Sequence, residues 1–379
     1  MIDEWYVIGL AESKSKQDLI DVTLEITLFD ANGDPIESQS ILAPMVHLGP
    51  GEETPFQASF AGVATAASAR TEIISFNTKT FERIEVIVEI LSSASIEGGR
   101  EMILGQLSNE NSVDVELSWF GILLTDRDGQ PLRLITEIYY PRVLAPNQSI
   151  PFIALVDAST ITFEPLAFID GIVSNQPSQH MLTISVPPEL FLTDQGLLVV
   201  LSGIKNEDIF PRWLETFAVL RLDGEVISMI PMRSSIPLQP GKTRFLSIDQ
   251  FPGIQQLMAQ RNLDFDALSA EIILSPSSSR RAEGTVVPLE IEVTHYEPVG
   301  SSLILRGIVT NKWTNQVENA TVYVALYSTE GTILTSAEIL VGYAIAQDEQ
   351  VSFVLPVHLP QGMTPAMSEY DLQAAGIIP

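Results

Sequence analysis

Along most of this chain apolar side chains recur at every second position, in short runs closed by clusters of Gly, Pro, Asn, Asp and Ser. A period of two puts alternate side chains on one face of a strand, so the pattern predicts antiparallel strands with one face buried. One segment breaks the rule. Gly253 to Asn262 carries Ile254, Leu257 and Met258 at helical spacing and predicts a short helix.

The alternation is organised as a repeat of about one hundred residues, present four times. Each copy opens with an apolar strand ending in glycine: Trp5–Gly9, Met102–Gly105, Val199–Gly203 and Leu303–Gly307. An asparagine follows in three copies (Asn109, Asn206, Asn311), and Ser13 stands there in the first. A second strand then runs into a turn glycine, Gly33, Gly129, Gly224 or Gly331, lying 24, 24, 21 and 24 residues after the first. A further turn comes 17 or 18 residues later, as Leu48-Gly49-Pro50-Gly51, Leu144-Ala145-Pro146-Asn147, Leu238-Gln239-Pro240-Gly241 and Ile345-Ala346-Gln347-Asp348. Phe56, Phe152, Phe245 and Phe353 follow it by four or five residues.

Counting back five, seven and nine from each turn glycine gives twelve positions, of which only Glu215 is charged, so this row is expected to face a core. Asn-Gly and Asp-Gly turns tolerate positive φ and predict tight hairpins. Polar joints at Ser75–Lys79, Ser174–Ser178 and Ser275–Ser279 separate the copies. The expected fold is all-β: tandem immunoglobulin-like antiparallel β-sandwich domains at 1–80, 81–178, 179–283 and 284–379, the third with the helical insertion.

Ile26-Thr27-Leu28-Phe29-Asp30, the Asn32-Gly33 turn, Leu48-x-Pro50-Gly51-Glu52 and Phe56 resemble the FxLYD-type domains. These are small immunoglobulin- or fibronectin-like modules of microbial surface proteins and lipoproteins. The fourth copy keeps Leu326-Tyr327 but has Ser328 in place of the aspartate, and the second has Thr125 where the family prefers an aromatic. The resemblance implies the fold and carries no catalytic or binding residue.

Composition narrows the function classes. A net charge of −28, six lysines and a single basic doublet, Arg280–Arg281, speak against nucleic acid and anionic membranes as partners. The absence of cysteine excludes disulfides, thiolate catalysis and Cys-based metal sites. No apolar run approaches the roughly 18 residues of a membrane span.

Asp30-x-Asn32-x-Asp34 and Asp126-x-Asp128 faintly resemble a calcium loop, but a hairpin turn accounts for them better. His47, His180, His295 and His358 fall at different places in the repeat, with no metal spacing. No GxSxG elbow, phosphate loop or dinucleotide fingerprint occurs, and no carboxylate pair stands out among 48 acids. Catalytic, cofactor and metal residues are therefore expected to be none. Trp5, Trp119, Trp213 and Trp313 are non-equivalent in their copies, and Asn147 and Asn319 head sequons that composition alone explains.

The chain is thus expected to be a non-enzymatic extracytoplasmic scaffold or adhesive protein. The alternatives are a glycan- or protein-binding module using loops such as Phe60–Ser68 and Phe251–Leu268, and, further off, a carboxylate-based hydrolase. A positive mean hydropathy of +0.22 points to self-association or docking on another subunit. Copies two to four carry an additional apolar strand before the first repeat glycine, at Ile84–Ile90, Met181–Val186 and Val286–Val293. The first copy has only eight residues there, so its sandwich is expected to lack that edge strand. Trimming removed it with a leader or anchor, a neighbouring molecule donates it, or the first domain does without it.

Overall fold

A computed structural model describes residues 4–62, 65–96, 98–157, 163–174, 181–261, 265–274, 283–300, 302–364 and 368–379. The chain is almost entirely β, at 67% strand and 2% helix. The basic doublet Arg280–Arg281, His180, residues 175–178 of the second joint and the Ser275–Ser279 joint lie outside the described residues.

Among the described residues all strand pairs are antiparallel, and the strands fall in four consecutive groups, each making two sheets. In the first group Glu4–Glu12 pairs with Glu53–Ala61, and Leu19–Phe29 pairs with Pro35–Leu42, His47–Leu48 and Ser68–Thr78. The second orders Ile138–Tyr139, Gln148–Asp157, Arg100–Asn109 and Ile87–Ile96 in one sheet, opposite a sheet centred on Val115–Thr125. The third places Leu198–Asn206 between Leu182–Leu192 and Thr243–Ile248, opposite a sheet centred on Glu215–Leu222. The fourth places Ser302–Thr310 between Glu290–Val299 and Gln350–His358, opposite a sheet centred on Val317–Ser328. Here the expected strand Val286–Val293 is broken at Leu289: Thr285–Pro288 joins the second sheet, and Glu290–Val299 the first. By density of contacts the chain divides into two compact units, Met1–Pro177 and Ser178–Pro379.

The predicted inward row is buried. Leu24, Ile26 and Leu28 belong to the core of the first sandwich, and Val322, Val324 and Leu326 to that of the fourth. Phe120 meets Phe152 edge-on, with centroids 4.9 Å apart, across the second. The third copy corrects the count. Its hairpin holds only Asp223 and Gly224 between the paired Leu222 and Glu225, where the other hairpins hold five residues. Its core row lies four and six residues before the turn glycine, at Leu220 and Ala218, instead of five and seven, and an offset of one residue selects the opposite face. The core there is built from Ala218 and Leu220, while Phe217 and Val219 point the other way and are buried as well. Glu215, the charged exception, bonds to Arg233 at 2.8 Å.

The same slip affects the first landmark. Asn206 follows Gly203 by three residues, whereas Asn109 and Asn311 follow their glycines by four. In the third sandwich Ser202 therefore takes the core position of the glycine, and Leu246 that of the phenylalanine. Gly203 and Phe245 pair on the outer face.

The asparagines explain why the landmark exists. Each is 0–1% exposed. Asn311 Nδ2 donates to the Asn315 carbonyl (2.9 Å) and to the Ile345 carbonyl just before the third turn (3.0 Å), while its Oδ1 accepts from Trp313 N–H (2.9 Å). Asn206 does the same with Phe210, Leu238 and Asp208, and Asn109 with Val113, Leu144 and Asn111. One amide thus holds its own loop and ties it to the opposite sheet. Ser13 is equally buried, and its hydroxyl has no hydrogen-bond partner among the described residues.

The helix Ile254–Arg261 forms as expected, with Ile254 in the third core and Met258 packed against it.

Candidate interaction surface

The residues that could carry chemistry are engaged in holding turns and joints. Asp30 Oδ1 accepts from the N–H groups of Asn32 (2.8 Å) and Asp34 (2.9 Å), and Asp126 Oδ1 from those of Asp128 and Gln130. Ser328 repeats the arrangement with its hydroxyl. These are side-chain-capped turns. The backbone N–H of Asp34, followed by those of Asn32 and Gly33, holds the Asp30 carboxyl below its usual range. No group of three or more His, Asp or Glu side chains gathers at metal-binding distance among the described residues.

His47 sits at the joint between the first two sandwiches. Its N–H donates to Asp170 Oδ2 (3.0 Å), its Nδ1 lies 3.1 Å from the same carboxylate, and its ring meets Phe81 edge-on. Asp170 is wholly buried. Arg83 completes the joint, pairing with Glu52 and donating to the His47 carbonyl (2.9 Å). Elsewhere the strand Pro131–Ile135 of the second sandwich lies against both strands of the first sandwich's two-stranded sheet, and Leu134 N–H donates to Gln57.

The second unit uses the corresponding elements with different side chains. Thr243–Ile248 of the third sandwich faces Ile333–Ile345 of the fourth. Arg244 donates to Glu338 (2.7 Å) and stacks over Tyr323, 4.4 Å from its ring centre. Glu338 also accepts from Ser234 Oγ and Ser235 N–H. Phe245, turned out of its own core by the slip, meets Tyr327 edge-on, and its N–H donates to the Tyr323 hydroxyl. Burial pushes the Tyr323 phenol well above its usual range, so it stays protonated. In both units a carboxylate of the following sandwich receives the backbone N–H of the segment leading into the third turn, His47 or Ser235.

A cleft of about 330 Å³ opens beside this second joint, lined by Asp249, Glu338, His358, Ser247 and Thr335 among others. Glu338 is committed to Arg244 and the two serines, and His358 Nδ1 lies 3.1 Å from Ser302 Oγ. His295, by contrast, is exposed, with Nδ1 3.1 Å from its neighbour's carbonyl.

The tryptophans divide. Trp5 and Trp313 are exposed, the latter donating to the Pro288 carbonyl, whereas the Trp119 ring covers Gly121. Asn147 is exposed at a positive-φ turn position. Of the two irregular segments singled out, residues 63–64 and 262–264 lie outside the described residues.

The open feature is the edge of the first sandwich. Among the described residues Glu4–Glu12 pairs on one side only, with Glu53–Ala61. Each equivalent strand is flanked on both sides. Trp5 and Tyr6 are 37% and 52% exposed, whereas Leu303, the counterpart of Trp5 in the fourth copy, and Met102, the counterpart of Tyr6 in the second, are essentially buried.

Sequence reasoning missed Asp170, Glu338, Arg244 and Arg83. A signal existed for the two acids: each is a lone charge in an apolar strand, Phe168-Ile169-Asp170-Gly171-Ile172 and Ala337-Glu338-Ile339-Leu340. No known family model matches the chain, and no curated protein matches it.

Proposed function

We propose that this chain is a non-enzymatic scaffold of tandem immunoglobulin-like sandwiches that works outside the cytoplasm, spacing or presenting a partner in a cell-surface assembly. The observation that carries this reading is the use made of its polar side chains. Asp30, Asp126, Asn109, Asn206, Asn311, Asp170 and Glu338 are engaged in fixing turns and in locking one sandwich to the next within each unit. That is the use expected in a load-transmitting or positioning element. The FxLYD-type likeness of the first copy agrees with a surface location.

A second reading, a binding module, has one specific support. Tyr296 and Tyr370 of the fourth sandwich are both exposed, with ring centres 6.2 Å apart and planes 30° apart, a platform on which a sugar or peptide could stack.

The test is protease added to intact source cells, paired with affinity capture of the tagged chain from a native envelope extract. The scaffold reading expects cleavage while a cytoplasmic marker survives, and recovery of one envelope component in fixed ratio. Full protection in intact cells, with no envelope component recovered, overturns it.

A further inference from the structure

We propose that Tyr296 and Tyr370 of the fourth sandwich form a stacking platform for an uncharged oligosaccharide, taking the C–H face of a pyranose ring. It rests on the binding reading above and names its ligand class, while the scaffold reading stands or falls separately.

Both tyrosines stand at core-row positions. Tyr296 lies opposite Leu305 and Tyr370 opposite Leu326, two residues of the fourth core. Directly opposed residues of an antiparallel pair share a face, so the rings start from the inner faces of the two sheets. They meet where the sandwich is open at its side. Among the described residues Glu290–Val299 is the last strand of its sheet, and Ser368–Ile378 meets Thr285–Pro288 only over Ala375–Ile378. The ring centres come within 6.2 Å of each other, yet Tyr296 and Tyr370 remain 41% and 47% exposed.

The sister copies show that closing this side does not require such a pair. The same two places hold Ser93 and Pro165 in the second sandwich, and Leu190 and Ala270 in the third. Leu190 and Ala270 pack against their own core. Among the described residues only the fourth copy has aromatics at both places. Two large rings are kept half in water where a small or aliphatic side chain serves elsewhere, a placement that suits a ligand better than a core.

The surroundings select the ligand. Two half-exposed rings offer about 200 Å², against the roughly 1,000 Å² of a stable protein interface, so a folded partner needs more than this surface. A peptide adding to the adjacent edge would need a regular ladder. Glu290–Val299 instead carries a bulge between Val293 and His295, and Pro298, which has no N–H. The net charge of −28 repels anionic ligands. A neutral sugar meets none of these obstacles. Its polarised C–H face sits on the negative face of an aromatic ring, and the phenol hydroxyls exchange hydrogen bonds with its own.

Calorimetry of the full chain against cellohexaose, N-acetylchitohexaose and mannohexaose should give a dissociation constant of about 1 mM or below for at least one of them. Added salt should leave that binding unchanged, because no ion pair forms. Tyr296→Ala and Tyr370→Ala should each weaken it at least about tenfold, and Tyr370→Phe should keep most of it. Tyr343→Ala, at a tyrosine 77% exposed in the same sandwich, should have no effect. If an alanine variant misfolds, the tyrosine ring resonances of the unmodified chain decide, since those of Tyr296 and Tyr370 alone should shift with sugar. Binding that ignores both alanine substitutions overturns the proposal, as does tighter binding of oligogalacturonate than of any neutral probe. A random peptide library provides the remaining arm. Peptides captured by the chain but not by Tyr370→Ala, with no sugar bound, overturn the sugar and leave the binding reading standing. No sugar and no such peptide overturn both.

Discussion

The buried asparagines carry more of the repeat than their size suggests. Replacing Asn206 or Asn311 by alanine leaves two carbonyls and one N–H unsatisfied in the interior, each worth about 1–3 kcal/mol. Allowing for partial relaxation, the expected loss is about 2–4 kcal/mol, read as faster amide exchange across the affected sandwich alone. Ser13→Ala should cost less than about 1 kcal/mol, because the hydroxyl it removes already lacks a partner. Asp30 gives a pH signature at the same scale. Its folded-state pKa is depressed, so its contribution to the first hairpin is full above the unfolded value near 3.9 and is lost as pH falls through the lower folded value. A carboxyl titration by NMR should place the Asp30 midpoint below those of acids without turn bonds, with the Asn32 and Asp34 amides shifting in step.

At the scale of strands and turns, two contrasts follow. Gly105→Ala drives a Cβ into both the Phe152 ring and the Glu89 carbonyl and should cost about 2–3 kcal/mol or more. Gly9→Ala meets only a movable ring and should cost under about 1 kcal/mol in monomeric protein. Equal losses at both sites, measured by thermal unfolding, would contradict this difference in what a Cβ meets. Arg244→Ala strands Glu338 at the second joint. Removing one partner of a buried pair costs about 3–5 kcal/mol, and the two serine donors that remain argue for the lower end. Exchange should quicken at residues 234–236 and 333–338 while the Asn311 loop stays protected.

Strand type and facing were legible in the sequence because period-two burial is a local rule: Leu24, Ile26 and Leu28 needed only each other. The third copy misled because turn length is also local but was counted from the wrong reference, a glycine that occupies a different place in a two-residue turn. The joints were not legible. His47 reaches Asp170 across 123 positions, and no spacing rule connects a turn in one repeat with a strand near the end of the next.

For the whole molecule, the large negative charge sets the condition under which association is seen. Two such chains repel over about a Debye length, so the self-association expected from the apolar composition should tighten as salt rises from about 0.02 M to about 0.5 M. Light scattering across that range checks the direction, and an interface dominated by ion pairs would weaken instead.

Phe245 shows how a repeat protein can acquire a new contact without inventing one. In its sister copies this ring plugs the interior; here a one-position offset has everted it onto Tyr327. No surface residue had to become sticky. A phenylalanine standing one position nearer the third turn than in the other copies makes a plug into glue, and Leu246 takes the interior place behind it. One-residue offsets of this kind are therefore a direct route by which similar beads become non-identical, each presenting different side chains to its neighbour within a unit.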